Sequence, residues 1–170
     1  MADWELKPLL RALFLRPEFS TDAVKQGLVR TPVEYLVTIM KATTWTSAEI
    51  HPEWWLSNMG QEVYNPPNVS GWRPNGYWVS AAAASAKAGF ADWLSWQLKD
   101  AGFLADSTTH TAAETVATAL AALHVTEPSA HVRQVLEQWV ATQRAAPYQG
   151  WAEPKYLTLL TLLSPDLQLA

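Results

Sequence analysis

The chain has 170 residues, and its 12 Lys and Arg against 16 Asp and Glu give a net charge of −4. The basic residues are scattered, with none of the positive stripe that phosphate neutralisation by a nucleic-acid-binding protein requires. The absence of cysteine excludes disulfides and thiolate metal sites, and no apolar run reaches the ~20 residues that span a bilayer.

A chain of this length suits one domain and can bury a core without covalent staples. At the N-terminus, Asp3 and Glu5 precede the first base, Lys7, and no small-residue cleavage site follows, so this segment does not read as a signal peptide. Ten tryptophans are a heavy load. Each offers a large apolar face and an indole N–H that needs an acceptor, and most are expected to pack helices together.

Residues 4–15 place Leu6, Leu9, Leu10, Leu13 and Phe14 on one helical stripe, which Pro17 then stops. A short turn covers residues 18–25. Thr31, Pro32 and Glu34 form a helix start, with Thr31 as cap, Pro32 at the first helical position and Glu34 reaching back. That helix is predicted to reach Thr43, with Val33, Leu36, Val37 and Met40 inward. His51, Pro52 and Glu53 open a short helix carrying Trp54, Trp55 and Met59, with Gly60 as its C-terminal cap.

Residues 77–101 read as helical, rich in the strong helix former alanine, with Gly89 expected to divide the run and Gly102 to end it. Residues 106–109 form a polar linker. Thr111 and Glu114 make a second capping box, opening a helix to about His124. Residues 127–144 follow, with Val132, Val135, Leu136, Trp139 and Val140 on one face. A connection over residues 145–151 leads to a last helix over residues 154–163, stopped at Pro165. The fold class is therefore all-α, an irregular bundle of about seven helices with no hairpin signal. The helices differ in length and content, so the chain is not a solenoid. One echo exists: residues 13–19 and 162–167 both end an apolar helix with Pro, an acid and an apolar residue.

Residues 59–80 interrupt this pattern. Pro66, Pro67 and Pro74 fix φ and lack a donor N–H, so the segment is not a plain helix. With Tyr64, Trp72, Tyr77 and Trp78 it is too aromatic for a disordered linker. It reads as a long ordered loop, and such loops are often functional. Asn65, Asn68 and Asn75 supply donors and acceptors, while Trp72, Tyr77 and Trp78 supply flat apolar faces. That pairing suits a sugar, which stacks its CH face and hydrogen-bonds its hydroxyls, and equally suits a proline-rich peptide. The competing reading is scaffold, with the asparagines holding turns and the rings pinning the loop. Asn75-Gly76 supplies a tight turn, and Ser80 or Asn75 can cap the next helix.

Other constellations are thinner. Glu53 and Glu62 flank the tryptophan-rich short helix and form a candidate acid–base pair. His124 and His131 flank Glu127, but Pro128 breaks the helix between them. His110 and Glu114 are four apart with the Thr111 cap between. Zinc sites need three or four ligands, so no metal site and no cofactor is predicted. There is no Gly-x-Ser-x-Gly and no glycine-rich phosphate loop, and Ser70 and Ser80 lack an evident base. Asn68-Val69-Ser70 matches the glycosylation pattern but is better explained as a turn.

Several of these strings coincide with a known family. The run from Gly60 to Trp72, GQEVYNPPNVSGW, matches the pattern GQ-x-x-(aromatic)-x-PPNV-x-GW, and Trp78-Val79-Ser80 follows it as tryptophan, aliphatic and Ser or Asn. Arg16-Pro17-Glu18-Phe19, Arg30-Thr31-Pro32-Val33-Glu34 and Ser164-Pro165-Asp166-Leu167-Gln168 correspond to helix stops and a helix start in the same order. On these residues the chain resembles the C-terminal part of the bacterial DUF1800 family of uncharacterised proteins. Arg16 stands where the family favours Ser. The resemblance implies that residues 1–170 are a helical portion of a longer protein, that many members are exported, and that some are encoded beside sulfatase-like proteins. It carries no activity. The expected function is a non-catalytic binding or assembly module whose loop, through Asn65, Asn68, Trp72, Asn75, Tyr77 and Trp78, meets a glycan or a protein. The alternatives are a hydrolytic fragment using Glu53 or Glu62, completed by residues of the N-terminal half that the longer family members carry, and a purely structural domain.

Overall fold

Local capping chemistry sets most helix boundaries. In the computed structural model, which describes residues 5–21, 24, 27–146 and 152–169, nine helices and no strand are found among the described residues. They are α1 (Leu6–Phe14), α2 (Pro32–Thr43), α3 (Ser47–Ile50), α4 (Pro52–Asn58), α5 (Ala81–Asp100), α6 (Ala112–Ala122), α7 (Ala130–Ala145), α8 (Glu153–Leu163) and α9 (Pro165–Gln168). Three 3₁₀ turns punctuate them, at Pro17–Ser20, Asn75–Trp78 and Ser107–Thr109. The predicted all-α class is what the chain forms.

Both predicted capping boxes are present. The Thr31 Oγ1 accepts from the Glu34 N–H at 3.2 Å while the Glu34 carboxylate accepts from the Thr31 N–H at 2.8 Å. Thr111 and Glu114 repeat this at 3.3 and 2.9 Å. Each exchange satisfies backbone donors that the first helical turn leaves orphaned. At the other end, Gly102 takes a left-handed φ of +85°. Phe103 N–H then donates back to the Leu98 carbonyl at 2.8 Å, closing α5.

The core forms where α5 lies along α8, with the α6–α7 pair and α2 closing over them. Tyr35, Leu36 and Ile39 of α2, Phe90, Leu94 and Leu98 of α5, Leu120, Leu136 and Val140, and Leu157 and Leu162 of α8 make one cluster. An aromatic group extends it. Phe90 meets Tyr35, Trp55 and Trp93 with ring centroids 6.0, 5.2 and 6.0 Å apart. The segment before α2 is tied to the residue after α9 where Val29 and Leu169 form an antiparallel bridge.

The structure corrects several sequence expectations. The inward face of α2 is Tyr35, Leu36 and Ile39, whereas Val37 is exposed. Val135 of α7 is likewise exposed although Val132, Leu136 and Val140 are buried. Gly89 does not divide α5, which runs unbroken from Ala81 to Asp100. The helix there begins at Ala81, after Ser80, whose Oγ accepts the Ala83 N–H at 3.1 Å. Pro165 is not a terminus but the first residue of α9, so the echo with residues 13–19 is real in shape, each copy being a proline-led turn. Trp4 and most of the 145–151 connection lie outside the described residues. No helix among the described residues is long and apolar enough to cross a membrane.

Candidate functional site

The loop of residues 59–80 is built from its own side chains and from two anchors elsewhere. Its entry follows Gly60, whose φ of +85° lets α4 end by a tight reversal. Gln61, nearly buried, then accepts the Val33 N–H on its Oε1 at 2.9 Å, fixing the entry to α2. Asn65 donates from Nδ2 to the Glu62 carboxylate at 2.9 Å. Asn68 accepts the Ser70 N–H at 2.9 Å, and Gly71 N–H reaches the Asn68 carbonyl at 3.0 Å, a compact turn around Pro67 and Val69. Asn75 sits in the left-handed region at φ +54° and accepts the Val29 N–H at 3.2 Å, the second anchor.

The six predicted contact residues therefore divide. Asn65, Trp72 and Tyr77 line an open cleft of about 170 Å³, together with Ser57, Gly60, Glu62 and Pro67. Asn68 and Asn75 spend their side-chain oxygens on backbone N–H groups. Trp78 is 3% exposed, packed edge-on against Tyr77 at 4.9 Å between centroids. Its indole N–H has no acceptor among the described residues, which leaves a desolvation cost of ~1–3 kcal/mol uncompensated.

Among the described residues, Glu62 is the sole charged side chain lining the cleft. Glu53 is not on it, and its carboxylate faces the His51 ring at 3.6 Å on the surface. The cleft thus presents two aromatic rings, one carboxylate, one amide and the Ser57 hydroxyl, with no second acid. Sequence reasoning treated Glu62 only as a partner for Glu53 and passed over Ser57 and Pro67. Their positions depend on the return of the loop over α4, which no local pattern announces.

Among the described residues no group of three or more His, Asp or Glu is placed to hold a metal. His124 lies outside any helix at φ +58°, and α7 starts only after Ser129, so His124 and His131 do not share a helix. His110 Nδ1 faces the Asp106 carbonyl at 3.0 Å. A larger hollow, about 510 Å³, lies where the turn after α5 meets α6, between Phe103, Leu104, Ser107, His110 and Thr115. Its lining includes Asp106 beside Phe103 but, among the described residues, no side-chain amide.

The sequence profile of a family described as "Protein of unknown function (DUF1800)" matches residues 1–169. No curated protein and no solved structure matches the chain.

Proposed function

The chain belongs to the DUF1800 family, whose description leaves the function open, and from the geometry above we propose that it is a non-catalytic binding module holding a glycan in the loop cleft. The observation that carries this reading is the convergence of Trp72, Tyr77, Asn65 and Glu62 on one open hollow. Aromatic rings at a partly wet surface offer an apolar face at low entropic cost. A carboxylate accepts hydrogen bonds from hydroxyls more strongly than a neutral group does, and the Asn65 amide adds both donor and acceptor. A single acid favours binding over hydrolysis, since glycoside cleavage uses two carboxyl groups flanking the bond.

The experiment is a glycan array screened with the intact chain, followed by NMR titration of the best oligosaccharide. Trp72→Ala and Tyr77→Ala are expected to weaken binding by about tenfold or more, the effect of losing an aromatic anchor, and Asn65→Ala by less. If no glycan binds, or if Trp72→Ala leaves the titration unchanged, the reading fails. Turnover of a bound oligosaccharide that stops in Glu62→Gln would favour the hydrolytic reading instead.

Assembly is a second reading, favoured by α1. Leu6, Leu9, Leu10, Leu13 and Phe14 are all exposed on it, and no residue of the helix is buried. An apolar stripe of that length is what a partner protein covers.

A further inference from the structure

Two buried donor side chains line one small cavity: Lys87, which has an amide but no carboxylate as acceptor, and Trp78, whose indole N–H has no acceptor among the described residues. Lys87 of α5 is 5% exposed. Its Nζ donates to Gln168 Oε1 at 2.7 Å and lies 5.3 Å from the centre of the Tyr35 ring. An ammonium carries three donors, and no carboxylate pairs with this one among the described residues. Lys155 shows the usual arrangement: it is equally buried, yet its Nζ meets Asp92 at 2.6 Å. A lysine is almost never fully buried unless paired, and burial alone pushes the Lys87 pKa down. Trp78 supplies the other donor, an unsatisfied indole N–H.

Both residues line a cavity of about 200 Å³, whose remaining walls are Val29, Val79, Ala84, Leu163 and Gln168. The wall chemistry is aliphatic, with the two donors and one amide as its polar features. Gln168 is itself held, since its Nε2 donates to the Leu162 carbonyl at 3.1 Å, which also accepts from the Tyr35 hydroxyl at 3.1 Å. The amide oxygen is thereby turned toward Lys87, and the lysine is fixed rather than free to reach solvent.

We propose that this cavity is a binding site for a small aliphatic carboxylate, with the carboxylate on Lys87 Nζ and Trp78 Nε1 and the hydrocarbon end against Val29, Val79 and Leu163. One oxygen gives the ammonium a charged partner beside its Gln168 acceptor, and the other accepts the indole N–H, so a single ligand answers both groups. An inorganic anion would satisfy the donors but leave the aliphatic walls empty. Because the indole nitrogen is closed off from water in the free chain, Trp78 turns toward the cavity as the ligand enters, and its fluorescence reports binding. This inference does not rest on the glycan reading, whose cleft lies on the Trp72 and Tyr77 side of the loop.

The test titrates the intact chain with acetate, butyrate and hexanoate, and with hexanamide as the neutral match, by calorimetry and tryptophan fluorescence. Saturable binding is expected, tighter for butyrate or hexanoate than for acetate, with hexanamide weaker by about tenfold or more for loss of the charge-assisted bonds. Lys87→Met is expected to abolish it without lowering the melting temperature, since the variant removes an unpaired buried charge. Gln168→Glu places a carboxylate beside Lys87 and is expected to close the site to hexanoate. The proposal is overturned if no acid binds, if hexanoate and hexanamide bind alike, or if a folded Lys87→Met or Gln168→Glu chain still binds hexanoate.

Discussion

Asn75 was placed by its sequence in a tight turn, and it holds one at φ +54°, but its side chain does work that no local pattern contains. It accepts the N–H of Val29, 46 positions away. Asn75→Ala is therefore expected to destabilise the chain by about 1–3 kcal/mol, combining a lost hydrogen bond with a left-handed φ that alanine resists. Asn75→Gly keeps the backbone freedom and should cost less, and urea unfolding of the two variants separates the terms. If both cost the same, the side-chain bond alone matters. Trp78, by contrast, is turned inward, at 3% exposed. Its burial makes truncation to Ala costly, ~3–5 kcal/mol, whereas Trp78→Phe also removes the orphan N–H and is expected to shift stability by less than about 1 kcal/mol. The sequence identified Trp78 as an aromatic of the loop, but the cavity its ring borders is completed by Leu163 and Gln168, far from it in the chain.

Helix starts were legible because capping is settled within four residues. Thr31 with Glu34 and Thr111 with Glu114 needed only the spacing of a hydroxyl and an acid. The face of α2 was not legible, because Val37 and Ile39 are equally apolar and only the position of α5 decides which is buried. Gly89 was misread for a related reason: its intrinsic cost in a helix is ~1 kcal/mol, less than the burial of Phe90, Leu94 and Leu98 returns. The capping acids make a pH prediction. Thr46 and Glu49 pair in the same way at the start of α3, with the Thr46 N–H donating to the Glu49 carboxylate at 2.7 Å. Hydrogen bonds from Thr111 and Thr46 hold Glu114 and Glu49 below the usual carboxylate pKa of 4.5. A carboxyl depressed in the folded chain contributes stability that is present above its unfolded value and is lost as pH falls through its folded value. Thermal stability is thus expected to be level above about pH 5 in these terms and to fall below 4.5. In Glu114→Gln that acid-side fall should be shallower; an unchanged slope would show that the cap does not titrate with folding. Under the assembly reading, α1 makes its own prediction: the chain self-associates and Leu9→Glu with Leu13→Glu returns it to monomer by light scattering. A monomeric parent chain removes that reading for pairing of copies.

At the scale of the whole molecule, one arginine joins parts that the chain order keeps apart. Arg144, in the last turn of α7, donates to both Glu153 oxygens at 2.8 and 2.7 Å. It donates also to the carbonyls of Ser107 and His110 at 2.7 and 2.6 Å, and to Thr115 Oγ1 at 3.1 Å. It thereby ties α7 and α8 to the turn that precedes α6. Glu153 is 1% exposed, and its hydrogen bonds raise the Arg144 pKa above its ordinary value. No local pattern signals this, since Arg144 reads as a cation at a helix end and Glu153 as an acid at a helix start. The energetic consequence is asymmetric. Two paired buried charges roughly repay their desolvation, but one left alone does not. Arg144→Met is expected to cost about 3–5 kcal/mol, because it strands a buried carboxylate and two carbonyls. Arg144→Met with Glu153→Met removes the stranded charge and should recover a large part of that loss. Chemical denaturation of the two variants decides it. A double variant as unstable as the single would mean that the carbonyls of Ser107 and His110, rather than the buried acid, are what Arg144 is needed for, and that the turn before α6 is held to the bundle by those two bonds.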